Sequence, residues 1–463
     1  MPKPQHSLII PVEIFNREFD AKVLLSCFAT ERGFSVILGA KREINLNLAS
    51  FPQSIYLPIN LHNRNHITAQ LLARLGHTLV GSDEEAIVYC SPEVYVKEKL
   101  GTVVFPQPKL FLAWGPENSR IWKMQQNYNG MPIHVTGNPR LDLLRTEMRP
   151  YWSGQIDAIQ KKFGNIILIN TNFGKLNHFR PNKGDEKKAL EQATVSPTEV
   201  NEYDLGMAQH RLALFQHFQE LVSQMANAFP AHTVLIRPHP SENHETWRQA
   251  AKGHANVQVH IEGHVIPWLL AADAIIHNSC TTGLEGYLLD RPVFSYQPII
   301  SERFDKQLPN AVSRQATSSG ELIELVNTAL SSGHAARTNS SETKTRLIEQ
   351  YLASLQGPFA SENIVNSLET FDGAFIPSSP NWATVFAAKS YALGRKLHRR
   401  FNAQFRMRDQ NRSQRYDYLN HIFPEITLTH IEERIERFQQ VLSRFQHIRV
   451  RTLRNNIFEI FPN

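Results

Sequence analysis

The fold of this chain is decided by the stretch HNSCTTGLEGYLLDRPVFSY, residues 277–296. The apolar run 274–276 just before it predicts a buried strand, and small polar residues at 278–283 predict a turn. A helix is expected over about 284–289, and the apolar pair 293–294 predicts a second strand. The order strand, turn, helix, turn, strand indicates a βαβ unit of an α/β protein.

The turn in this stretch offers a place for a phosphate group. A helix that begins there presents unpaired backbone N–H groups and the positive end of its dipole. We expect the phosphate to be contacted by Ser279, Thr281, Thr282 and Gly283. Glu285, about one turn into the helix, is expected to accept hydrogen bonds from ribose hydroxyls. The alternative is that Ser279 and Thr281 only cap the helix.

Length and composition are those of a soluble globular protein with two or three domains. The 463 residues are 41% apolar and 20% charged, and no apolar run is long enough to span a bilayer. The N-terminus lacks a basic segment followed by an apolar core. The three cysteines (Cys27, Cys90 and Cys280) have no pairing or metal-like spacing, which argues for a reducing compartment and against structural zinc. We therefore expect a cytoplasmic protein.

Two consecutive α/β domains are expected, over 1–155 and 160–335, followed by a helical, basic segment over 336–463. The first domain opens with a strand at Ser7–Val12 and a helix over 21–32. Ligands gather at the carboxyl ends of strands in such doubly wound sheets. Arg17 and Glu18 fall in the loop after that strand and are expected to contact substrate, although solvated loop charges remain the alternative.

Three consecutive acids follow a later strand of the first domain, at about 77–81. They are Asp83, Glu84 and Glu85, and they lie where a catalytic base would lie, but acids also suit a helix N-terminus for dipole reasons. A further turn follows the strand 133–136 and supplies candidate substrate contacts and a second candidate catalytic carboxylate. Its polar residues are Asn138, Arg140 and Asp142.

In the second domain, three strand-end loops are expected to converge on one edge of the sheet: 170–175, 237–240 and 279–285. Besides the residues named above, they offer Asn172, Lys175, Arg237 and His239. This set suits a nucleoside monophosphate or diphosphate with its ribose. A strand-end histidine between two prolines can equally be structural.

Several other classes lack their signatures in this sequence. There is no G-x-G-x-x-G after the first strand, no Walker A loop, no G-x-S-x-G and no H-E-x-x-H. No nucleic-acid-binding module is recognisable, so no nucleic acid partner is expected. The net charge of +6 is concentrated between Arg395 and Arg454, where fourteen basic residues face six acidic ones.

Eight pieces of the chain, taken in order, resemble the bacterial surface carbohydrate biosynthesis protein family, which itself resembles GT-B glycosyltransferases. The resemblance spans about residues 8–300 and resumes near 424–458. Its pieces are IPVEIFNREFDAK (10–22), FSVILGAKRE (34–43), SDEEAIVY (82–89), FLAWGPEN (111–118), VTGNPRLDLL (135–144), ILINTNFGKLNH (167–178), LIRPHPSE (235–242) and the stretch 277–296.

The resemblance implies a GT-B-like fold, with two Rossmann-like domains facing a cleft and C-terminal helices bracing them. The pattern is also similar to GT-B sialyl- and Kdo-transferases, which use CMP-activated sugars. Asp83-Glu84-Glu85 resembles their acidic D/E-D/E-G motif, with Ala86 where that motif has glycine. His239-Pro240 resembles their His-Pro motif, and Ser279 with Thr281 and Thr282 resembles their phosphate-binding Ser/Thr pair. Which acid is catalytic stays open.

The chemistry follows from these expected roles. Breaking a sugar–phosphate bond develops negative charge on the phosphate, which His239, Arg237 and the N–H groups near Thr281 would stabilise without a metal. An acid of the 83–85 cluster would take the acceptor's proton if the reaction inverts configuration. If it retains configuration by double displacement, a carboxylate must be the nucleophile instead. The sequence does not decide between these two.

We therefore expect a glycosyltransferase that uses a nucleotide-activated sugar, CMP-linked in the Kdo or sialic acid manner, for bacterial capsule or lipopolysaccharide biosynthesis. The acceptor is a carbohydrate or a lipid-linked carbohydrate. Arg395–Arg415 is expected either to attract the anionic inner face of the membrane or to be a solvated basic face. The alternatives are a CDP-polyol phosphotransferase, a nucleotide-sugar 2-epimerase, and a non-catalytic scaffold with a basic tail that binds membrane or partners.

Overall fold

The computed structural model describes residues 6–180, 184–195, 201–332, 342–371, 381–405 and 420–463. At 195 and 399–405 it describes the backbone only. The chain divides into two compact units. Unit 1 comprises Met1–Ile87, Pro92–Tyr151 and Thr345–Asn463, and unit 2 comprises Val88–Ser91 and Trp152–Lys344.

Strands alternate with helices along the described chain. The strands are β1 (His6–Val12), β2 (Phe34–Ala40), β3 (Ile55–Tyr56), β4 (Thr78–Leu79), β5 (Phe111–Ala113), β6 (Ile133–Val135), β7 (Ile166–Asn170), β8 (Thr233–Arg237), β9 (Val257–Val259), β10 (Ala274–His277), β11 (Val293–Tyr296), β12 (Arg314–Ala316), β13 (Ile448–Arg454) and β14 (Ile457–Pro462).

The helices are α1 (Phe15–Glu31), α2 (Lys41–Asn47), α3 (His66–Arg74), α4 (Pro92–Lys99), α5 (Pro116–Met124), α6 (Pro139–Asp142), α7 (Ser153–Phe163), α8 (Asp185–Val195), α9 (Glu202–Ala228), α10 (His244–Ala251), α11 (Val265–Ala271), α12 (Thr281–Leu288), α13 (Gln307–Val312), α14 (Ser319–Ser331), α15 (Glu342–Tyr351), α16 (Ala360–Thr370), α17 (Trp382–Phe405) and α18 (Leu428–Leu442). Within the described residues, no helix has both the length and the apolarity needed to cross a membrane.

Unit 2 is built on a six-stranded parallel sheet. Its order is β12-β11-β10-β7-β8-β9, so the chain winds outward from β7 in one direction and then outward from β10 in the other. This is the doubly wound Rossmann order, and its topological switch point lies between β7 and β10. Both strands are fully buried, as expected for apolar runs covered by helices on two faces.

Unit 1 is built on a second sheet, of order β13-β14-β2-β1-β3-β4. Strands β1 to β4 are parallel, and the winding reverses between β1 and β3, which is the switch point of this unit. A parallel bridge from Gly81 to Phe111 connects β5 and β6 beyond β4. The predicted fold class, α/β with two Rossmann-like halves, is therefore confirmed.

The C-terminal segment differs from the helical expectation for 336–463. Helix α18 is present and packs on α1, but the chain then forms the antiparallel hairpin β13–β14, and β14 pairs antiparallel with β2. The reason is visible in the residues of β13, where Ile448, Val450 and Thr452 alternate with arginines at the strand period of two. This hairpin closes one edge of the sheet of unit 1.

Candidate functional site

The switch point of unit 2 brings the predicted strand ends together. His277 at the end of β10 lies opposite Asn170 at the end of β7, and Asn170 lies opposite Arg237 at the end of β8. The loops that follow these three residues therefore leave the same edge of the sheet side by side. Ligands of doubly wound folds bind in the crevice outside this edge, at the switch point.

Helix α12 begins at this edge. Its N-cap residue is Cys280, whose sulfur lies close to the backbone N–H groups of Thr282 and Gly283. Thr281 and Thr282 are the first two residues of the helix, and the Thr282 hydroxyl lies 2.6 Å from the Cys280 sulfur. The Gly283 N–H also donates to the Cys280 carbonyl, at 3.1 Å, so Cys280 caps the helix start, and anion binding at the turn stays a prediction.

Gly283 holds the start of α12 tightly over the end of β10. A Cβ atom placed on Gly283 would lie only 2.4–2.7 Å from ring atoms of His277, which no real side chain tolerates. Burial lowers the pKa of His277 to about 3, so the ring is neutral. Ser313 donates to Pro309, so His277 Nε2 donates to Ser313 and Nδ1 accepts from Cys280 N–H. Gly283 is therefore a packing residue as well as a candidate phosphate contact.

Ser279 is held by a network of buried side chains. Its backbone has φ of +50°, in the left-handed region, and its hydroxyl lies 2.9–3.1 Å from the amide of Asn310. Asn310 Oδ1 also accepts from Ser295, so the three side chains form one buried network. The hydroxyl of Ser279 thus fixes the turn, and its contact with phosphate stays a prediction.

Two buried amides at the switch point were missed by the sequence analysis. Asn278 is 2% exposed, and neither its Nδ2 nor its Oδ1 has a hydrogen-bond partner among the described residues. Asn170 is 3% exposed, and its Nδ2 is likewise unpartnered. Buried polar groups are rarely left unpaired, because each costs about 1–3 kcal/mol. A ligand at this edge would supply the missing partners. The signal in the sequence was that Asn170 ends β7 and Asn278 directly follows β10.

Arg237 does not face the expected phosphate position. Its guanidinium donates to the backbone carbonyls of Glu262, at 2.8 Å, and of Gly263. It also lies over the ring of Trp268. Burial lowers the pKa of Arg237 to about 9, so the side chain stays charged at neutral pH. The expectation that Arg237 binds phosphate is therefore corrected: it ties β8 to the loop that precedes α11.

His239 is held at the edge by its neighbours. Its Nδ1 accepts from the Ser241 backbone N–H at 3.2 Å and lies 2.7 Å from the Ser241 hydroxyl, so Nε2 carries the proton of the neutral ring. Its backbone N–H donates to Glu242 at 3.0 Å. Glu242 is fully buried and also accepts from Thr171, at 2.8 Å, so it joins the loops after β7 and β8. Burial raises the pKa of Glu242.

The remaining expected residues of unit 2 lie near this edge with differing exposure. Lys175 is exposed, and Asn172 and Glu285 are half-buried. Gly174 lies against Ser241, since a Cβ on this glycine would overlap the Ser241 hydroxyl. The loop after β7 is thus packed directly onto the loop after β8.

A small cavity occupies the equivalent edge in unit 1. It lies at the carboxyl ends of β1, β3 and β5, next to the switch point of this unit. Its polar lining comes from Lys22 on α1, from Ser82 and Glu84 after β4, and from Asn138 before α6. The cavity therefore gathers one of the three candidate acids with a candidate substrate contact and a buried lysine.

Lys22 is the buried cation of this cavity. Its ammonium group donates to the Pro11 carbonyl at 2.8 Å and to Glu18 at 2.9 Å, and it lies 3.4 Å from Glu84. Burial alone would lower the pKa of Lys22, but the two carboxylates outweigh burial and raise it. The ammonium is therefore a fixed positive charge beside Glu84. Sequence analysis did not select it, because a lysine inside a helix carries no motif.

The expected loop containing Arg17 and Glu18 is part of α1, which begins at Phe15 instead of Ala21. Glu18 is 2% exposed and accepts from the Glu13 backbone N–H as well as from Lys22. Its role as a substrate contact is corrected, because both partners belong to the protein. Arg17 forms an ion pair with Glu85, at 3.0 Å.

The three consecutive acids meet three different surroundings. Asp83 is 2% exposed and accepts from the Glu85 backbone N–H and the Tyr95 hydroxyl, and burial raises its pKa to about 6. Burial would raise the pKa of Glu85 as well, but Arg17 and Lys99 hold it well below its usual value. Glu84 is the acid that lines the cavity.

Asn138 and Arg140 both contact Glu84. Asn138 caps α6 by accepting from the Arg140 N–H at 2.9 Å, and its Nδ2 lies 3.4 Å from Glu84 Oε2. The Arg140 guanidinium donates to the Glu84 backbone carbonyl at 3.2 Å. Because Arg140 is only 9% exposed and donates to the Glu84 backbone, we assign it the role of positioning Glu84. Asn138 remains a candidate substrate contact because it lines the cavity.

Asp142 is corrected as a candidate catalytic residue. It is fully buried, and its oxygens accept from the Ala360 N–H, the Ser361 N–H and the Ser361 hydroxyl at 2.7–2.8 Å. These groups belong to the first turn of α16, which has no cap of its own. Burial raises the pKa of Asp142 to about 7 against these hydrogen bonds, which favour the carboxylate. Asp142 fastens α16 to unit 1.

Among the residues that the structure describes, no group of three or more His, Cys, Asp or Glu side chains is placed to hold a metal ion. Comparison with known proteins finds no matching family model and no matching curated protein.

Solved structures of similar architecture do exist. UDP-GlcNAc 2-epimerase of Methanocaldococcus jannaschii is 10% identical over 79% of this chain and 99% of its own, with a TM-score of 0.46. A putative UDP-N-acetylglucosamine 2-epimerase of Listeria monocytogenes is 14% identical over 82% of this chain and 99% of its own, with a TM-score of 0.48. The wall teichoic acid polymerase TagF is 10% identical over 81% and 91%, with a TM-score of 0.47. Likenesses this distant carry no argument about activity.

Proposed function

We propose that this chain is a glycosyltransferase that uses a nucleotide-activated sugar, with the donor nucleotide at the switch point of unit 2. The observation that carries the proposal is the buried amide of Asn278, which has no partner among the described residues and lies three residues before α12 begins at Thr281. A phosphate there would accept hydrogen bonds from the helix N–H groups and from the Asn278 amide. The Asn170 amide, at the neighbouring strand end, supplies another donor for the nucleotide.

The leaving phosphate is the group that needs stabilising when the sugar–phosphate bond breaks. Negative charge that develops on it is met by the positive end of α12, by the Asn278 amide and by His239, whose Nε2 carries a proton. All of these donors are fixed before the reaction, because Glu242 and Gly283 hold their loops in place. Preorganised donors of this kind lower the barrier without reorganisation during the reaction.

Glu84 is the acid proposed to remove the proton of the acceptor hydroxyl. In an inverting transfer, the acceptor oxygen bonds to the anomeric carbon, the sugar–phosphate bond breaks, and the proton passes to Glu84. Asp83 is closed off by Tyr95, and Glu85 is neutralised by Arg17 and Lys99. Of the three acids, Glu84 is the one that lines the cavity, and Lys22 and Asn138 lie beside its carboxylate.

The finer identity of the substrates is proposed from the sequence motifs alone. The acidic cluster, the His239-Pro240 pair and the Ser/Thr turn resemble those of Kdo- and sialic-acid-type transferases, so we propose a CMP-linked donor. A carbohydrate or lipid-linked acceptor of bacterial surface polysaccharide and a place at the inner face of the membrane belong to the same proposal.

The proposal is tested by donor turnover. The purified chain is incubated with CMP-, UDP- and GDP-sugars and with a CDP-polyol, and nucleotide release is measured with and without bacterial surface oligosaccharides. The proposal predicts acceptor-dependent CMP release and a product heavier than the acceptor by one sugar. Glu84→Gln should lose at least about a hundredfold in turnover, the usual worth of a general base, while Glu85→Gln serves as the matched control.

Other outcomes would overturn it in distinguishable ways. Interconversion of UDP-GlcNAc with its 2-epimer would identify an epimerase, and CMP release from the CDP-polyol with phosphate transfer would identify a polyol phosphotransferase. Nucleotide binding without turnover of any of these donors would favour the alternative of a non-catalytic scaffold protein.

A further inference from the structure

Helix α17 of unit 1 carries a row of large apolar side chains in solvent. Trp382 is 80% exposed, Phe386 70%, Leu393 59% and Leu397 56%. Successive members are separated by four, seven and four residues, so all four fall within about 60° of the helix circumference. Exposed Tyr391 falls on another side of the helix. Soluble proteins rarely present such a contiguous apolar row without a binding partner.

The row is distinct from the face by which α17 is attached to the unit. The helix packs against α2 and the short helical turn Leu48–Ser50. The half-buried residues of α17 make up that attachment, and they are mostly small: Thr384, Val385, Ala388, Ala392 and Lys396. The exposed row is therefore additional to what the fold of unit 1 requires.

The charge of α17 indicates which partner fits the row. The 24 residues of the helix include five lysines or arginines and no aspartate or glutamate. Lys389 is exposed and, by its spacing from Phe386 and Leu393, lies beside the row. A cationic helix without acidic residues, whose apolar row contains aromatic side chains and has a lysine beside it, is typical of helices that lie in the interface of anionic membranes.

We propose that α17 is a membrane-surface helix that lies on anionic lipid. Trp382, Phe386, Leu393 and Leu397 insert at the level of the headgroups, and Lys389 contacts lipid phosphates. The surface is independent of the proposed nucleotide site. Of the basic segment 395–415 selected from sequence, residues 406–415 lie outside the described residues, and the apolar row that gives the helix its orientation lies mostly before 395.

The tryptophan content of the chain supplies a direct reporter. The other five tryptophans are at most 5% exposed, so Trp382 alone reports on the row. Adding vesicles of phosphatidylcholine with about 30% phosphatidylglycerol should shift the emission to shorter wavelength and should float the full-length chain. Vesicles of phosphatidylcholine alone should do neither. Raising NaCl to about 0.5 M should weaken binding at least tenfold, because salt screens the lipid charge.

Substitutions separate the row from the rest of the surface. Phe386→Ser and Leu393→Ser should each weaken vesicle binding about tenfold, since each removes a large apolar group from the interface. Lys389→Glu should weaken it as well. Ile67→Ser, at a 69% exposed position on α3 outside the row, is the matched control and should bind like the unaltered chain. All four positions are exposed, so folding is expected to be preserved, and circular dichroism checks it.

Three results would overturn the proposal. One is the absence of flotation with anionic vesicles. Another is salt-sensitive flotation without a Trp382 shift, which would mean adsorption by charge without insertion. The third is a dimer in solution that Phe386→Ser dissociates, together with no vesicle binding, which would assign the row to a second copy of the chain.

Discussion

At the residue scale, one run of three acids acquires three functions from its surroundings. Asp83 does not line the cavity, and its two oxygens accept from the Tyr95 hydroxyl and from a backbone N–H. Glu85 neutralises Arg17 and Lys99, and Glu84 reaches the cavity beside Lys22. Sequence predicts that a carboxylate follows β4, but the three residues differ in side-chain partners on other elements, 12 to 68 residues away along the chain.

The first prediction concerns these carboxylates. Glu84→Gln should lower kcat at least about a hundredfold without changing nucleotide affinity, because the amide cannot accept a proton and unit 2 is untouched. Steady-state kinetics and calorimetric nucleotide titration measure the two quantities. Glu85→Gln keeps kcat within about tenfold. Equal losses in the two variants would refute the assignment of the base.

The second prediction concerns the pH dependence of stability. Burial raises the pKa of Asp83 to about 6 in the folded state from 3.8, so the folded state binds the proton more tightly than the unfolded state. The contribution of Asp83 to stability is full below pH about 4 and is lost as pH rises through about 6. Across this window, the stability of the unaltered chain should fall by about 2–3 kcal/mol relative to Asp83→Asn. Thermal unfolding at several pH values measures it, and a pH-independent difference would be inconsistent with a buried, titrating Asp83.

Two residues show why side-chain roles escaped sequence analysis. Arg237 ends a strand at the expected edge, yet its guanidinium turns to the carbonyls before α11. Asp142 follows a strand like a catalytic acid, yet it fastens the first turn of α16, which lies 218 residues further along the chain. Strand ends are set by local pattern, whereas the direction of a long side chain is set by tertiary neighbours that the pattern does not contain.

At the element scale, the start of α12 is the part of the site most constrained by packing. His277 on β10 and Gly283 on α12 are in contact, which places the N-terminal end of the helix over the sheet edge. The sequence predicts the βαβ unit here because apolar runs flank a small polar turn. It does not predict that the glycine serves helix–strand packing, since the buried histidine that requires it lies in the preceding strand.

The third prediction tests this contact. Gly283→Ala should destabilise unit 2 by about 1–3 kcal/mol, because its Cβ overlaps the His277 ring, and it should weaken nucleotide binding by displacing the helix N-terminus. Gly320→Ala on α14 is the matched control, since nothing lies within 4 Å of a Cβ there. Thermal unfolding and nucleotide titration of both variants measure the effect. Indistinguishable behaviour of the two would contradict the packing role.

At the scale of the whole molecule, the last strands complete a sheet that the first strands begin. Strand β14 pairs with β2, and Gly39 of β2 closely approaches the backbone of Asn456. The alternation of apolar residues and arginines in β13 was available in the sequence, but the neighbouring helical pattern of α18 obscured it. The two doubly wound halves were predictable because each strand is a short apolar run followed by a polar turn.

The fourth prediction concerns this closing hairpin. Phe458→Ala should lower the free energy of unfolding of unit 1 by about 3–5 kcal/mol, because the side chain is 1% exposed and its removal leaves a cavity. Phe461→Ala, on the same strand but only half-buried, is the control and should have a clearly smaller effect. Denaturant unfolding distinguishes the two, and similar values for both would contradict a structural role for β14.

The most direct test of the central claim is nucleotide binding at the switch point of unit 2, measured by thermal shift and titration with CMP, CDP, UDP and GDP. A nucleotide at one hundred times its Kd should add about 2.7 kcal/mol of stability to the unaltered chain. Asn278→Ala should abolish this gain for the bound nucleotide, while Asn327→Ala, at an exposed position on α14, should retain it. A gain that persists in Asn278→Ala, or none with any of the four nucleotides, would contradict the site described for this protein.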